Sequence, residues 1–202
     1  KPDRVRTMVP TGEPGVIWLD GLMTLLDPDG NETLLAHFSR RKGLMEQLEH
    51  GLVRFDDTAG VFRKVAAFAP EETWRFPRGI AVRVEHEGQP YLYFVEHFAA
   101  IRVPADWASV LDPTRYEALA YDPKAGDYRW QHAAEPTTQA DEAKRIASGG
   151  MPAEKARYQL ADTATGRPVR LHRGSIRCNA FRQKWILIGN EEDFARNVSY
   201  LG

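Results

Sequence analysis

Three carboxylates stand where an apolar run begins or ends, and they are the acidic residues best placed for chemistry. Asp20 precedes a glycine, Glu49 precedes a His-Gly pair, and Glu96 follows the apolar run 91–95. Two carboxylates that face one substrate can divide the roles of general acid and general base. We therefore predict that Asp20, Glu49 and Glu96 are catalytic. The simpler alternative is that each is a solvated or turn-capping acid.

Two of these carboxylates are followed directly by histidine, which gives the pairs Glu49-His50 and Glu96-His97. A histidine beside a carboxylate can serve as a proton-transfer couple or as a metal ligand. Successive residues of a strand point to opposite faces, so each pair can act together only where the backbone bends. Neither His-x-His nor His-Glu-x-x-His occurs, so we predict no metal site and no cofactor. His50 and His97 are assigned to substrate binding.

Arginines form the second candidate group. Arg40 and Arg41 directly continue a predicted strand, Arg78 and Arg173 each precede a repeated glycine, and Arg177 lies within a strand. A guanidinium binds a planar anion through two parallel hydrogen bonds, which suits uronic-acid, sulfated or phosphorylated ligands. We assign substrate binding to four of these arginines: Arg40, Arg41, Arg78 and Arg177. Ion pairing with neighbouring acids is the alternative.

The elements that must position these residues are predicted to be short antiparallel hairpins. Residues 16–26 and 33–38 flank the turn 27–31, whose Pro-Asp-Gly sequence favours a tight turn. Further strand pairs follow the same pattern: 52–55 with 61–65, 80–84 with 90–94, 118–121 with 128–130, 158–160 with 168–171, and 175–180 with 184–188.

Helix is predicted in one main place, an insertion around 137–157. It contains a helix over 138–148, capped by Thr137 or Thr138, and a second turn near 152–157. Residues 45–50 are a further candidate for one or two helical turns. The remaining chain favours strand.

A repeat underlies the hairpins. An Asp-x-x-x-Gly turn occurs at 56–60, 122–126 and 162–166, and a glycine opens a hairpin at Gly21, Gly79 and Gly174. Two successive hairpins in ~50 residues match one four-stranded blade of a β-propeller. We therefore predict a mainly β chain that forms a propeller of four-stranded antiparallel blades, as one domain over residues 1–202 or as part of one. A β-sandwich or a β-solenoid is the alternative.

Composition limits the classes of partner. Lys and Arg total 27 against 28 Asp and Glu, which argues against a nucleic-acid partner held by bulk charge. No apolar run approaches the ~20 residues of a membrane helix, so no membrane partner is predicted. The single cysteine, Cys178, cannot form an intramolecular disulfide and is expected to be a small buried residue. The chain begins with neither an initiator Met nor a signal peptide, so we expect it to be processed or cut from something longer.

Parts of the sequence resemble bacterial secreted five-bladed propeller proteins, which are either uncharacterised or similar to glycoside hydrolases. The segments that carry the resemblance are 38–43 (FSRRKG), 48–53 (LEHGLV), 174–176 (GSI) and 179–185 (NAFRQKW), and the resemblance covers most of 15–200. It implies five blades around a central funnel, a carbohydrate ligand, and a secreted or periplasmic location. At ~50 residues a blade, this chain supplies about three and a half blades. Another chain or further residues would then complete the ring.

The functional expectation is a carbohydrate-active propeller that hydrolyses or binds an oligo- or polysaccharide in its funnel. Glycoside hydrolysis generally uses two carboxylates ~5–9.5 Å apart, one on each side of the scissile bond. The predicted arginines would suit an acidic glycan. The alternative is a non-catalytic propeller that binds a protein or glycan partner.

Overall fold

The computed structural model describes residues 7–193 and 198–201. Strands hold 50% of the residues and helices 11%. The prediction of a mainly β chain with antiparallel sheets is therefore confirmed. Each sheet has its strands in sequence order, so hairpins and short connections join neighbouring strands.

The first sheet has four strands: β1 (Val16–Leu26), β2 (Glu32–Lys42), β3 (Glu46–Asp56) and β4 (Val61–Ala67). The β1–β2 turn forms as predicted, because the Asp27 side chain accepts hydrogen bonds from the backbone N–H groups of Asp29 and Asn31 at 3.0 and 2.9 Å. The helical turns predicted over 45–50 are wrong. This segment enters β3, where pairing with β2 satisfies its backbone groups.

The second sheet has five strands: β5 (Ile80–His86), β6 (Gln89–Val95), β7 (Ala99–Pro104), β8 (Glu117–Asp122) and β9 (Asp127–Gln131). The chain bends at residues 96–98 after β6 and returns as β7, which adds a strand to the four predicted. A short helix, α1 (Trp107–Leu111), and a 3-10 turn (Pro113–Arg115) connect β7 to β8.

The last part of the chain forms two smaller sheets. One pairs β10 (Leu160–Ala161) with β11 (Pro168–Val169), and the other contains β12 (Leu171–Asn179), β13 (Lys184–Asp193) and β14 (Val198–Leu201). Across residues 7–193 and 198–201 the sheets close into neither a barrel nor a ring.

The predicted helical insertion is present as α2 (Gln139–Ala147) and a 3-10 turn (Ala153–Lys155). Thr138 caps α2 in a reciprocal arrangement with Asp141, in which each side chain accepts a hydrogen bond from the other residue's backbone N–H. The insertion covers one face of the second sheet, where Tyr121 and Tyr128 meet Tyr158. None of the described helices is long and apolar enough to cross a membrane.

The three repeated Asp-x-x-x-Gly turns share one geometry. In each, the glycine N–H donates to the aspartate carbonyl at 2.7–2.9 Å, and the aspartate side chain accepts from backbone N–H groups inside the turn. The glycines have φ near +65°, which a residue without a Cβ adopts at no steric cost. The repeat read from the sequence is therefore a real structural repeat at its turns: Asp56–Gly60, Asp122–Gly126 and Asp162–Gly166.

The largest core cluster joins the first and second sheets. Met23 and Leu35 of the first sheet meet Leu92 and Phe94 of the second, together with aromatic side chains of the connecting segment 68–79. Buried apolar area of this kind is the main favourable contribution to folding. The packing fixes how the two sheets lie against each other and therefore where their first strands meet.

The three repeated glycines mark the junction of the sheets. Gly79 directly precedes β5 as expected, but Gly21 and Gly174 lie inside β1 and β12, so the expectation that they open their hairpins is wrong. The Gly21 N–H donates to the Gly79 carbonyl at 3.0 Å, and the Gly174 N–H donates to the Glu96 carbonyl at 3.0 Å. A Cβ on Gly21 would lie 2.4 Å from the Cβ of Pro77, which precedes β5, so only glycine permits this approach. The first strands β1, β5 and β12 are thereby brought together at one place.

Candidate functional site

A cleft of about 280 Å³ lies at this junction, and we call it the carboxylate cleft. It is lined by Asp20 at the bulge in β1, by Glu96 after β6, and by Arg173 of β12. Gly79 and Gly174 form part of its wall, so backbone rather than side chain occupies that part. Two of the three predicted catalytic carboxylates therefore share one cleft.

Asp20 is held by two interactions. One carboxylate oxygen, Oδ2, lies 3.5 Å from Nη1 of Arg173, and the other, Oδ1, accepts a hydrogen bond from the Gly21 N–H at 3.0 Å. Both side chains remain partly exposed. The carboxylate is oriented by these contacts while part of it still faces the cleft.

Glu96 is paired with Arg78, whose Nη2 lies 2.6 Å from its Oε2. His97 Nδ1 lies 3.9 Å from the same oxygen, because residues 96–98 form a bend and not a strand. On a regular strand Glu96 and His97 would point to opposite faces, and the bend is what allows the two side chains to act together. Burial lowers the pKa of His97, and Glu96 opposes that effect.

Glu49 lies in a different cluster and lines neither this cleft nor the larger one described below. It accepts a hydrogen bond from Arg40 Nε at 3.1 Å and a second from Lys64 Nζ. The bond from Lys64 is the main reason that the Glu49 pKa is lowered. The three predicted carboxylates therefore do not form one group, because Glu49 is on the third strand of the first sheet.

The arginines predicted to bind substrate also lie in different parts of the fold. Arg40 donates to Glu49 and to the Pro14 carbonyl, and Arg41 donates to the Leu44 carbonyl at 3.0 Å. Arg177 lies on the exposed β12–β13 hairpin and donates to the carbonyl of its own neighbour Ile176 at 2.8 Å. Among the four arginines assigned to substrate binding, Arg78 is the one brought to Glu96.

His50 is a core residue and not a surface ligand. It is 1% exposed, its Nδ1 lies 3.1 Å from His37 Nε2, and its Nε2 lies 2.9 Å from the Ala69 carbonyl. A carbonyl only accepts, so Nε2 of His50 carries its proton and Nδ1 accepts from His37. Burial, then the nearby His50, Arg78 and Arg41, lower the His37 pKa to about 3.

A second and larger cleft of about 550 Å³ adjoins the first, and we call it the apolar cleft. Glu96 lines both clefts, and Arg78 and His97 line the apolar cleft beside it. Phe98 and Tyr158 are among its aromatic walls. Sequence reasoning missed this cleft, because its walls come from β6, β7, α2 and β11, which meet only in the folded chain.

Sequence reasoning also missed two polar residues of the carboxylate cleft, Ser175 and Asn190. Ser175 directly follows the repeated Arg-Gly pair, which was the available signal. Asn190 pairs with Arg173 across β12 and β13, and such pairing becomes visible only with the register. Both residues add hydrogen-bonding groups beside the carboxylates.

Glu142 is buried and anchors a wall of the apolar cleft. Its carboxylate accepts hydrogen bonds from the backbone N–H groups of Arg157 and Tyr158 at 2.6 and 2.9 Å, from Gln159 Nε2 at 3.0 Å, and from the Tyr128 hydroxyl. Burial, this bond and the Glu142 charge raise the Tyr128 pKa. The loop that carries Tyr158 is therefore fixed by one side chain of α2.

The single cysteine of the chain, Cys178, lies on the hairpin of β12 and β13. Cys178 is exposed, so the expectation of a buried cysteine is wrong. It lies opposite Trp185 in the hairpin of β12 and β13, where Trp185 is itself half exposed. Within the described part of the chain, no group of three or more His, Cys, Asp or Glu side chains could hold a metal ion.

The site is thus a pair of adjoining clefts that share Glu96. One presents two arginine-paired carboxylates, and the other presents aromatic and aliphatic walls. Such a combination can orient a polar group and shelter an apolar one. No protein-family model, curated protein or solved structure matches the chain.

Proposed function

We propose that the chain is a carbohydrate-active protein that binds and hydrolyses a glycan at the carboxylate cleft. The observation that carries this proposal is the presence of Asp20 and Glu96 in one cleft, each paired with its own arginine. A sugar hydroxyl both donates and accepts, so it can bridge a carboxylate and a guanidinium. Arg78 and Arg173 further favour an acidic sugar, since a guanidinium binds a carboxylate bidentately.

In this proposal Asp20 and Glu96 are the catalytic residues. One carboxyl group protonates the departing glycosidic oxygen, and the other, as a carboxylate, activates water or attacks the anomeric carbon. Each arginine orients its carboxylate and balances its charge. His97 lies beside Glu96 and is the nearby group able to exchange a proton with it.

We also propose that the fold is part of a propeller, most simply of the five-bladed type. Three observations support it: the sheets follow one another in sequence order, their first strands β1, β5 and β12 meet, and the meeting points are the repeated glycines. In a propeller the first strand of each blade lies at the centre. The carboxylate cleft would then open into the central funnel, and a polysaccharide substrate suits a secreted or periplasmic protein.

The test is binding and hydrolysis of a panel of neutral and uronic-acid oligosaccharides by the wild type and three variants. Asp20→Asn and Glu96→Gln remove the charge of a cleft carboxylate and keep its shape. Glu49→Gln is the matched control, because Glu49 is also ion-paired and partly exposed but lies in neither cleft.

We expect the two cleft variants to lose about 100-fold or more of the hydrolysis rate, as removal of a general acid or base does. Glu49→Gln should keep the wild-type rate. Equal loss in all three variants, or hydrolysis that none of them changes, would contradict the assignment of Asp20 and Glu96.

A non-catalytic binding protein is the second candidate, and the exposed apolar side chains of the last sheet favour it. Trp185 is 50% exposed and Ile188 is 54% exposed, while Phe181 at the hairpin tip is almost fully exposed. Exposed apolar surface of this kind often marks an interaction site. Glycan binding without turnover in the panel would support this candidate over hydrolysis, and a further chain that completes the ring would cover the same surface.

A further inference from the structure

The apolar cleft shares a wall with the carboxylate cleft, and this continuity suggests what it binds. Glu96 lines both, and Arg78 and His97 stand at the same end of the apolar cleft. A ligand held at Glu96 therefore has the apolar cleft directly beside it. The volume of about 550 Å³ falls in the range of about 300–1,000 Å³ that is usual for small-molecule sites.

The walls of the apolar cleft offer carbon surface rather than hydrogen bonds. Phe98, Ala100 and Leu171 supply apolar side chains, while polar side chains such as Gln139 and Thr137 are engaged with the protein. Gln139 Nε2 donates to the Val169 carbonyl at 2.7 Å, and Thr137 Oγ1 accepts from the Tyr121 N–H at 2.9 Å. A second sugar ring would leave its hydroxyl groups poorly matched there.

Tyr158 supplies the second observation. It is almost fully buried and lines the cleft, and its hydroxyl has no hydrogen-bond partner among the described residues. Burial and the neighbouring Glu142 raise its pKa, so the hydroxyl stays protonated. Because solvent does not reach this hydroxyl, Tyr158 presents no hydroxyl group to a ligand, which adds to the apolar character of the cleft.

We infer that the apolar cleft binds an aromatic substituent of the glycan, so that the substrate class is an aryl glycoside or an aromatic ester of a sugar. The inference rests on the proposed function, because the sugar itself would lie at Asp20 and Glu96. The aromatic group packs against Phe98 and Tyr158, which line the cleft. The sugar adjoining this group is bound beside Arg78.

The test compares phenyl and methyl β-D-glucosides and phenyl and methyl β-D-glucuronides by calorimetric titration. Each pair shares its sugar and differs in the apolar group. Ala143→Trp places a large side chain in the apolar cleft, because Ala143 lines it from α2. Ala147→Trp is the matched control, since Ala147 is exposed on the same helix one turn later and does not line the cleft.

We expect the phenyl glycoside of at least one pair to bind about 10-fold or more tightly than its methyl partner, because the ring is removed from water. Ala143→Trp should abolish this advantage and leave the methyl glycoside's affinity unchanged, and Ala147→Trp should preserve it.

Three outcomes would overturn the inference. If the methyl glycosides bind and the phenyl group adds nothing, the apolar cleft does not take the substituent, although the proposed function stands. If Ala143→Trp keeps the phenyl advantage, the aromatic group binds elsewhere. If neither pair binds, no sugar is held at Glu96 for the substituent to extend from, and the proposed function falls with the inference for these two sugars.

Discussion

At the scale of single residues, His37 is a buried histidine whose protonation the fold opposes. His37 stacks on Phe76 with ring centroids 4.3 Å apart and donates to His50. A proton on His37 would place a charge among apolar rings and beside two arginines, so its pKa falls to about 3 from an ordinary 6.5. The folded chain therefore keeps His37 neutral where an unfolded chain would protonate it.

We predict that the free energy of unfolding decreases as the pH falls below about 6.5. The folded-state pKa is lowered, so the stabilisation is complete above the unfolded-state value and is lost progressively as the pH falls towards 3. The slope that His37 contributes approaches about 1.4 kcal/mol per pH unit. Urea unfolding between pH 7.5 and 5 measures it, above the range in which most carboxylates titrate.

The variant His37→Gln separates this residue from the rest of the molecule. Glutamine can still donate to His50 Nδ1 but does not titrate. The variant should show a flatter pH dependence whatever its absolute stability, with the remaining slope due in part to His97, whose pKa is lowered as well. An unchanged slope would show that His37 is not the responsible group.

Residue identity predicted some of these roles and not others. Strand alternation correctly indicates that Glu49 and His50 face opposite ways, and Glu49 is indeed at the surface while His50 is buried. The sequence could not show that His50 has a histidine partner, because His37 reaches it only through the β2–β3 register. His50 was assigned to substrate binding, but its bond to His37 and its burial make it a core residue.

At the scale of elements, α2 holds the neighbouring chain in place through one buried carboxylate, that of Glu142. Glu142 is fully buried, which is unusual for a carboxylate and is tolerated here because four donors reach it. These donors come from β9 and from the loop after the 3-10 turn. The helix therefore does more than cover the second sheet, since it also holds the wall that carries Tyr158.

We predict that Glu142→Gln lowers the free energy of unfolding by about 2–4 kcal/mol. The amide nitrogen of glutamine cannot accept, so donors that faced one carboxylate oxygen lose their partner. Glu154→Gln is the control, because Glu154 is exposed in the neighbouring 3-10 turn, and it should change stability by less than about 0.5 kcal/mol. Chemical denaturation gives both values, and similar values would refute the anchoring role.

Local sequence signals predicted the elements well where the chemistry is local. The Asp-x-x-x-Gly turns and the capped helix were found because each is stabilised by contacts within a few residues. The buried Glu142 was missed, since an acid on a helix reads as a solvent-facing residue. Its donors lie outside the helix, at Tyr128 and in the segment 157–159.

At the scale of the whole molecule, Gly79 lies at the junction of the sheets, where its carbonyl accepts from the Gly21 N–H of the first sheet. Gly79 has φ +72°, and an added Cβ would lie within 1.9 Å of the Val95 carbonyl oxygen. Gly88 has nearly the same φ, +78°, but an added Cβ would meet nothing within 4 Å. The two glycines therefore separate the cost of a left-handed backbone from the cost of a steric clash.

We predict that Gly79→Ala destabilises the fold by at least about 2 kcal/mol more than Gly88→Ala does. Gly88→Ala should cost about 1 kcal/mol, as expected for the backbone conformation alone. Thermal or urea unfolding of the two variants provides the comparison. Equal losses would mean that the close approach of Gly79 to Val95 at the start of the second sheet adds no cost beyond the backbone conformation.

The glycine repeat also shows which features of the whole molecule can be predicted from the sequence. Gly21, Gly79 and Gly174 were identified as equivalent because a large apolar residue of the return strand follows each glycine 11–13 residues later. All three also take part in, or lie beside, the backbone contacts of the junction. The strand count of each sheet could not be obtained in the same way. The bend at 96–98 adds β7, and the bend depends on tertiary contacts such as the bond from Gly174 to the Glu96 carbonyl.

The position of Asp20, Glu96 and Arg173 has a consequence for folding and binding together. The three residues belong to three antiparallel meanders that form from local contacts, yet the cleft exists only once all three have docked. A ligand that contacts all three would bind the docked arrangement and no single meander. Local unfolding of any one sheet would then release the ligand and lose its binding free energy. At saturating ligand the three sheets should therefore unfold together rather than one at a time.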